Sequence, residues 1–151
     1  MTVKELMTEP VVTVDENMLA ADVARVMQEH DIGAVVVVDA SGQLRGIVTE
    51  SDFTGIGRSV PFSLAIAPVV FGARAATIAE LERIYAMARQ LRARQIMSDK
   101  VQTAEESEDI GAVVQRMLTR KLRHVPVVRN GKPVGMLARH DILKLVAAPS
   151  R

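Results

Sequence analysis

The sequence predicts an α+β fold made of two tandem copies of one small unit, each running strand, helix, strand, strand, helix, with a helical segment inserted between the copies. Three observations carry this expectation. A set of residues returns at a spacing of 90; each copy holds apolar residues at the period of a buried helix face; each also holds a β-branched run followed by a turn and a second run.

The repeat begins near the N-terminus, where Leu6-Met7-Thr8 returns as Ile96-Met97-Ser98, Val11 and Thr13 as Val101 and Thr103, and Asn17 as Ser107. Ala20, Val23, Ala24 and Met27 then correspond to Ile110, Val113, Val114 and Met117, at i, i+3, i+4 and i+7. Asn17 and Ser107 suit the N-cap of these two helices, since a side-chain oxygen there accepts from an orphan backbone N–H. Ala34 to Val38 and His124 to Val128 read as buried strands. Ala40-Ser41-Gly42 and Asn130-Gly131 turn the chain into Leu44 to Val48 and Pro133 to Leu137, which makes a hairpin in each copy, the second with a tight Asn-Gly turn. The spacing drops to 89 after that turn, and closing helices follow from about Ser51 and about His140.

Between the copies, Gly55, Gly57 and Pro61 end the first repeat, and an apolar run from Val60 to Phe71 follows. Thr77-Ile78-Ala79-Glu80 forms a capping box that opens a helix expected to reach about Arg94. Ile78, Leu81, Tyr85, Ala88 and Leu91 or Arg92 fall near one face of it, as on a docked amphipathic helix. Packing on the repeats or across a dimer seam is the simpler role, and a lid over a ligand stays open. The expected division is residues 1–58 for the first repeat, 59–93 for the inserted apolar segment and linker helix, and 94–151 for the second repeat.

Composition narrows the function. With 151 residues and 48% hydrophobic content the chain can bury a sizeable core, and it contains no cysteine for disulfides or thiolate metal sites. The first residues lack a signal-peptide pattern, and the run from Val60 to Phe71, with Pro61 and Pro68, is too short to span a bilayer. The expectation is a soluble cytoplasmic protein. Residues 1–57 hold Lys4, Arg25 and Arg45 against ten acidic residues, a net of −7, and the remainder holds 16 basic against eight acidic, a net of +8. The arginines are scattered and only four aromatics are available for stacking, so neither nucleic acid nor membrane is expected as a partner.

The hairpins end in the most specific motif of the chain: Gly46-Ile47-Val48-Thr49-Glu50-Ser51-Asp52 and Gly135-Met136-Leu137-Ala138-Arg139-His140-Asp141. A strand-to-helix junction offers free N–H groups suited to phosphate, and Thr49 and Ser51 add hydroxyls. Asp52 can accept from both hydroxyls of a ribose. The alternative for Asp52 is a carboxylate that serves its own helix start, and its return as Asp141 weighs against that alternative alone.

The two heptapeptides resemble the G-h-x-T-x-x-D signature of CBS domains, and the likeness covers nearly the whole chain outside the insertion. It is to tandem CBS (Bateman module) proteins of the stand-alone bacterial or archaeal type. The resemblance implies a pseudo-two-fold pair with two ligand clefts. In the first, Thr49, Ser51 and Asp52 would act with Arg123, His124 and Pro126, the base lying against Ile47 and a strand near Lys100 and Val101. Arg123 and His124 would hold phosphate. The second would use Asp141 with Gly33 and Ala34, and there the sequence departs from the family: Ala138 replaces threonine, and Gly33-Ala34 stands where the other copy has Arg123-His124. Arg139 and His140 would partly substitute. The first cleft is therefore expected to bind a phosphorylated ligand more tightly.

The implied function is regulatory binding of an adenine nucleotide, AMP, ADP or ATP, or of S-adenosylmethionine, with no catalytic cofactor. No P-loop, dinucleotide fingerprint or metal-ligand spacing argues for an enzyme, and Met7, Met27, Met97 and Met117 recur as core residues. The rival reading is a protein-interaction module with vestigial clefts. Either way a homodimer is expected, with Val26, Leu118, Leu143 and Val146 on its seam, and with an effector protein as a possible further partner.

Overall fold

The computed structural model describes residues 1–54 and 85–147. The first copy runs α1 (Val3–Leu6), β1 (Thr13–Asp15), α2 (Ala20–Glu29), β2 (Ala34–Val38), β3 (Leu44–Thr49) and α3 (Glu50–Thr54). After a helical stretch at 85–88, the second copy runs α4 (Ala93–Ile96), β4 (Ala104–Glu105), α5 (Ile110–Thr119), β5 (His124–Arg129), β6 (Lys132–Ala138), a 3-10 turn (Arg139–Asp141) and α6 (Ile142–Ala147). The expected strand, helix, strand, strand, helix order is present in both, and each copy adds a one-turn helix in front. Four residues are too few to display a helical period, which is why α1 and α4 left no sequence signal.

The chain packs as two compact units that cut across the repeats. One holds Met1–Val12, Ser41–Leu44 and Lys100–Arg151, the other Thr13–Ala40 and Arg45–Asp99. The opening segment of the first copy is thus built into the unit that holds the body of the second, and α4 into the unit that holds the body of the first.

In the Lys100–Arg151 unit the sheet order is β4-β5-β6, with β4 parallel to β5 and β5 antiparallel to β6 from His124↔Ala138 to Arg129↔Lys132. Asn130 (φ 54) and Gly131 (φ 78) both lie in the left-handed region, as a two-residue hairpin turn requires. Val3 and Leu6 from α1, and Met7 just after it, join Ile110, Val113, Met117, Val125, Val127 and Leu137 in one core. Thr8 and Met136 exchange both backbone hydrogen bonds, 2.8 and 3.0 Å, which fixes α1 beside β6. The motif glycine has a packing reason here, since a Cβ on Gly135 would stand 2.4 Å from the Met7 sulfur.

The other unit repeats this plan. Its sheet order is β1-β2-β3, with Thr13↔Val36, Val14↔Val37 and Asp15↔Val38 in parallel register. Ala34 to Val37 are buried, as are Ala20, Val23 and Met27 of α2 and Ala93 and Ile96 of α4. Ile47 and Ser98 exchange backbone bonds of 3.0 and 2.9 Å, and a Cβ on Gly46 would meet the Met97 sulfur at 2.5 Å and the Ser98 carbonyl at 2.6 Å.

Helix ends correct two expectations. Neither Asn17 nor Ser107 is an N-cap: α5 is capped by Asp109, whose carboxylate accepts from the Ala112 N–H at 3.2 Å, and α2 starts after Leu19 with no side-chain cap. Asn17 sits instead in the turn after β1, its N–H bonded to Asp15 Oδ1 at 2.8 Å. The linker helix does not reach Arg94. Its expected start at Thr77 to Glu80, and the run from Val60 to Phe71, lie outside the described residues, and the helix ends at 88. The chain is pulled extended there because the Leu91 carbonyl accepts from the Ala20 N–H at 2.7 Å and Arg92 bridges to Leu19 before α4 begins. Ala88 is buried and Tyr85 is 38% exposed.

At their C-termini α2 and α5 share one device. The N–H of Ile32 reaches the Met27 carbonyl and that of Leu122 the Met117 carbonyl, with Asp31 (φ 50) and Lys121 (φ 55) left-handed in between.

Candidate functional site

Each unit presents one strand-to-helix turn from the heptapeptide motif, built on the same backbone plan. In the first, β3 passes directly into α3, and Asp52, fully buried, accepts from the Thr49 N–H at 2.8 Å through Oδ2. Thr49 Oγ1 and Ser51 Oγ lie 2.8 Å apart. The Glu50 N–H donates to the Gly33 carbonyl at 3.2 Å, and the Glu50 carboxylate stands over Gly33, 3.7 Å from where a Cβ would be. Ala34 and Ile47 are buried beside it. This unit therefore brings together Gly33, Ala34, Ile47, Thr49, Ser51 and Asp52, and among the described residues the charge nearest the turn is negative.

The second turn follows β6. Asp141, also fully buried, accepts from the Ala138 N–H at 2.8 Å through Oδ2, matching Asp52. Its other oxygen is heavily engaged: Oδ1 lies 2.7 Å from Lys144 Nζ, 3.3 Å from Thr8 Oγ1 and 3.5 Å from His140 Nε2. Lys144 also donates to the Leu6 carbonyl at 3.2 Å. The Arg139 N–H donates to the Arg123 carbonyl at 3.1 Å, the counterpart of Glu50 and Gly33, while Arg139 Nε donates to the Leu122 carbonyl at 2.9 Å. Arg123 and His140 are exposed, His124 is half-buried and Pro126 is buried within β5. The charge around this turn is positive.

Both aspartates thus do what the alternative expected, holding their own turn together, whatever else they bind. The hydroxyl pair of Thr49 and Ser51 has no counterpart at Ala138 and His140. Asp52 falls in one unit and Arg123 and His124 in the other. Lys100 and Val101 are not on a strand, because β4 begins only at Ala104, after four residues in irregular conformation. Thr8, Glu50 and Lys144 were not foreseen. Lys144 stands one helical turn after Asp141, a spacing that signals an ion pair, whereas Thr8 is 133 residues away and left no local sign.

The Lys100–Arg151 unit carries a further ion pair, Arg116 with Glu108 at 3.2 Å. Burial pushes the Glu108 carboxyl up. The hydrogen bonds from Arg116 and from the Glu105 N–H, with the charge of Arg116, outweigh it and hold the group below the ordinary carboxylate range. Among the described residues no three His, Asp or Glu side chains gather as a metal site, and no helix is long and apolar enough to cross a membrane. A groove of about 620 Å³ lies in the Thr13–Ala40 unit among Ala24, Arg25, Gln28, Phe53, Tyr85 and Arg89. It is lined by none of the motif's polar groups.

Comparison with known proteins bears on both turns. A family model described as the CBS domain matches residues 3–57 and 93–148, so that each match ends just beyond one of them. An uncharacterised protein of Methanopyrus kandleri is 30% identical over 145 residues, covering 95% of this chain, which spans 62% of that relative's length. Among solved structures, the CBS domain of a CBS domain-containing membrane protein from Sphaerobacter thermophilus is 38% identical, with a TM-score of 0.74 over 96% of this chain and 87% of that one. The CBS domain pair of the protein MJ0100, in complex with methylthioadenosine and S-adenosylmethionine, is 24% identical and shares the fold, with a TM-score of 0.69 over 97% of this chain and 95% of that one.

Proposed function

The chain belongs to the CBS domain family, and from that premise we propose that it is a regulatory module whose Asp52 turn binds an adenosine-containing ligand, AMP, ADP, ATP or S-adenosylmethionine, without chemical turnover. The observation that carries this reading is the Asp52 turn: two hydroxyls 2.8 Å apart beside a buried carboxylate at a strand-to-helix junction. Hydroxyls and backbone N–H groups suit a phosphate or ribose oxygen, and the carboxylate suits ribose hydroxyls. The fold likeness to a pair that holds methylthioadenosine and S-adenosylmethionine supports the same ligand class.

In this proposal Asp52, Thr49 and Ser51 take the ribose and the adjoining phosphate, and Ile47 lies against the base. The reading is tested by titrating the protein with AMP, ADP, ATP and S-adenosylmethionine. Saturable binding of at least one, with no product formed, supports it. Lack of response to all four would transfer the function to protein contact alone.

A homodimer belongs to the same proposal. Leu118 on α5 and Leu143 and Val146 on α6 are 63%, 67% and 81% exposed, an apolar surface of the kind that marks an interface. Sedimentation should show a dimer for the wild type and a monomer for Leu143→Glu; a monomeric wild type rejects this seam.

A further inference from the structure

The two motif carboxylates are equally buried and each accepts from its own turn at 2.8 Å, and at Asp141 further groups hold the remaining oxygen. Asp141 Oδ1 is met by the Lys144 ammonium at 2.7 Å and the Thr8 hydroxyl at 3.3 Å, with His140 Nε2 at 3.5 Å. Two carboxylate oxygens offer about four lone-pair positions in all, so this set leaves no room for the paired hydroxyls of a ribose. Lys144 is itself fixed from the other side by the Leu6 carbonyl, at 3.2 Å, which ties it to α1. In the first copy the equivalent of Lys144 is Gly55 and that of His140 is Ser51.

We infer that Lys144 closes Asp141 to ligand, so that the chain takes one adenosine-type ligand, through Asp52, and holds Asp141 as a structural ion pair. The ammonium occupies the place that ribose hydroxyls would need. A ligand could enter only by breaking a charge-assisted contact to a buried carboxylate, and two neutral hydroxyls replace that contact poorly. Lys144 is in this sense a specificity-determining residue: it sets the number of sites rather than their chemistry. The inference rests on the ligand-binding reading above and sharpens it.

The test is calorimetric titration of the full chain with AMP and with S-adenosylmethionine. One ligand per chain is expected for the wild type, unchanged in Asp141→Asn, and two per chain for Lys144→Met. The second site should vanish again in the double variant Lys144→Met/Asp141→Asn, and Lys144→Arg should keep the stoichiometry at one. Two ligands per wild-type chain with one lost in Asp141→Asn would overturn the inference, and that comparison needs no Lys144 variant to fold. A Lys144→Met protein that melts cooperatively and still binds one ligand would overturn it as well. Failure of every protein to bind either probe would overturn the ligand-binding reading itself, a result distinct from the other two.

Discussion

The Asp52 turn and the Asp141 turn share one backbone hydrogen bond, lead into an α-helix in the first copy and a 3-10 turn in the second, and carry opposite charge among the described residues. Each carboxylate accepts from the N–H three residues before it at 2.8 Å, and each motif glycine lies under a methionine from the other copy's opening segment. Around this shared frame, the first turn carries Glu50 and a hydroxyl pair, and the second carries Arg139, His140 and Lys144. Duplication has kept what the fold needs and varied what a ligand would touch. The two turns therefore separate what they share, which holds the fold, from what they do not, to which the proposed function assigns the ligand.

Substitutions sharpen that division. The glycines come first, with the largest effect on stability. Gly46→Ala pushes a methyl against a backbone carbonyl at 2.6 Å as well as a sulfur, whereas Gly135→Ala meets a flexible thioether at 2.4 Å and the nearest carbonyl only at 3.2 Å. Overpacking typically costs ~1–3 kcal/mol, so Gly46→Ala should fall near the upper end and Gly135→Ala near the lower. Thermal or urea unfolding checks the order, and equal losses would mean that the two opening segments yield alike.

The helix C-termini come next. Asp31 and Lys121 hold left-handed backbone that glycine adopts without strain, and aspartate tolerates it better than lysine. Lys121→Gly should stabilise by about 0.5–1 kcal/mol and Asp31→Gly by less, after the extra freedom of glycine in the unfolded chain is offset. Denaturant midpoints would show it.

The smallest difference is a pH effect confined to one unit. Glu108 and Arg116 have Met18 and Val26 as their counterparts in the first copy, so this pair has no equivalent there. Because the folded protein holds the Glu108 carboxyl low, its contribution is present above the ordinary carboxylate range and is lost as pH falls through the folded-state value. The pair is about a third exposed, which limits the effect to a few tenths of a kcal/mol. Glu108→Gln should flatten the acid limb of a stability-against-pH curve by that amount.

Much of this was legible in the sequence because it was written twice. The hairpins, the faces of α2 and α5 and the pair of motif aspartates all stand out when one copy is laid on the other. What escaped was carried by single turns or by distance. α1 and α4 are too short for a period, and the linker helix stops at 88 because Leu91 is needed by Ala20. Asp109 caps α5 in place of Ser107 because the helix starts three residues after that serine. At the second turn, the motif pointed to Asp141 and not to all that holds it: Thr8 reaches it from the far end of the chain, and the spacing of Lys144 was the one local sign.

The central claim is that the two carboxylates are unequal, and one titration addresses it. Calorimetry of AMP with the wild type, Asp52→Ala and Asp141→Ala should show the Asp52 variant weakened about 30-fold, the loss expected for charge-assisted hydrogen bonds of ~2 kcal/mol. The Asp141 variant should bind within about threefold of the wild type, below ~0.7 kcal/mol. Equal weakening by the two substitutions would contradict the account.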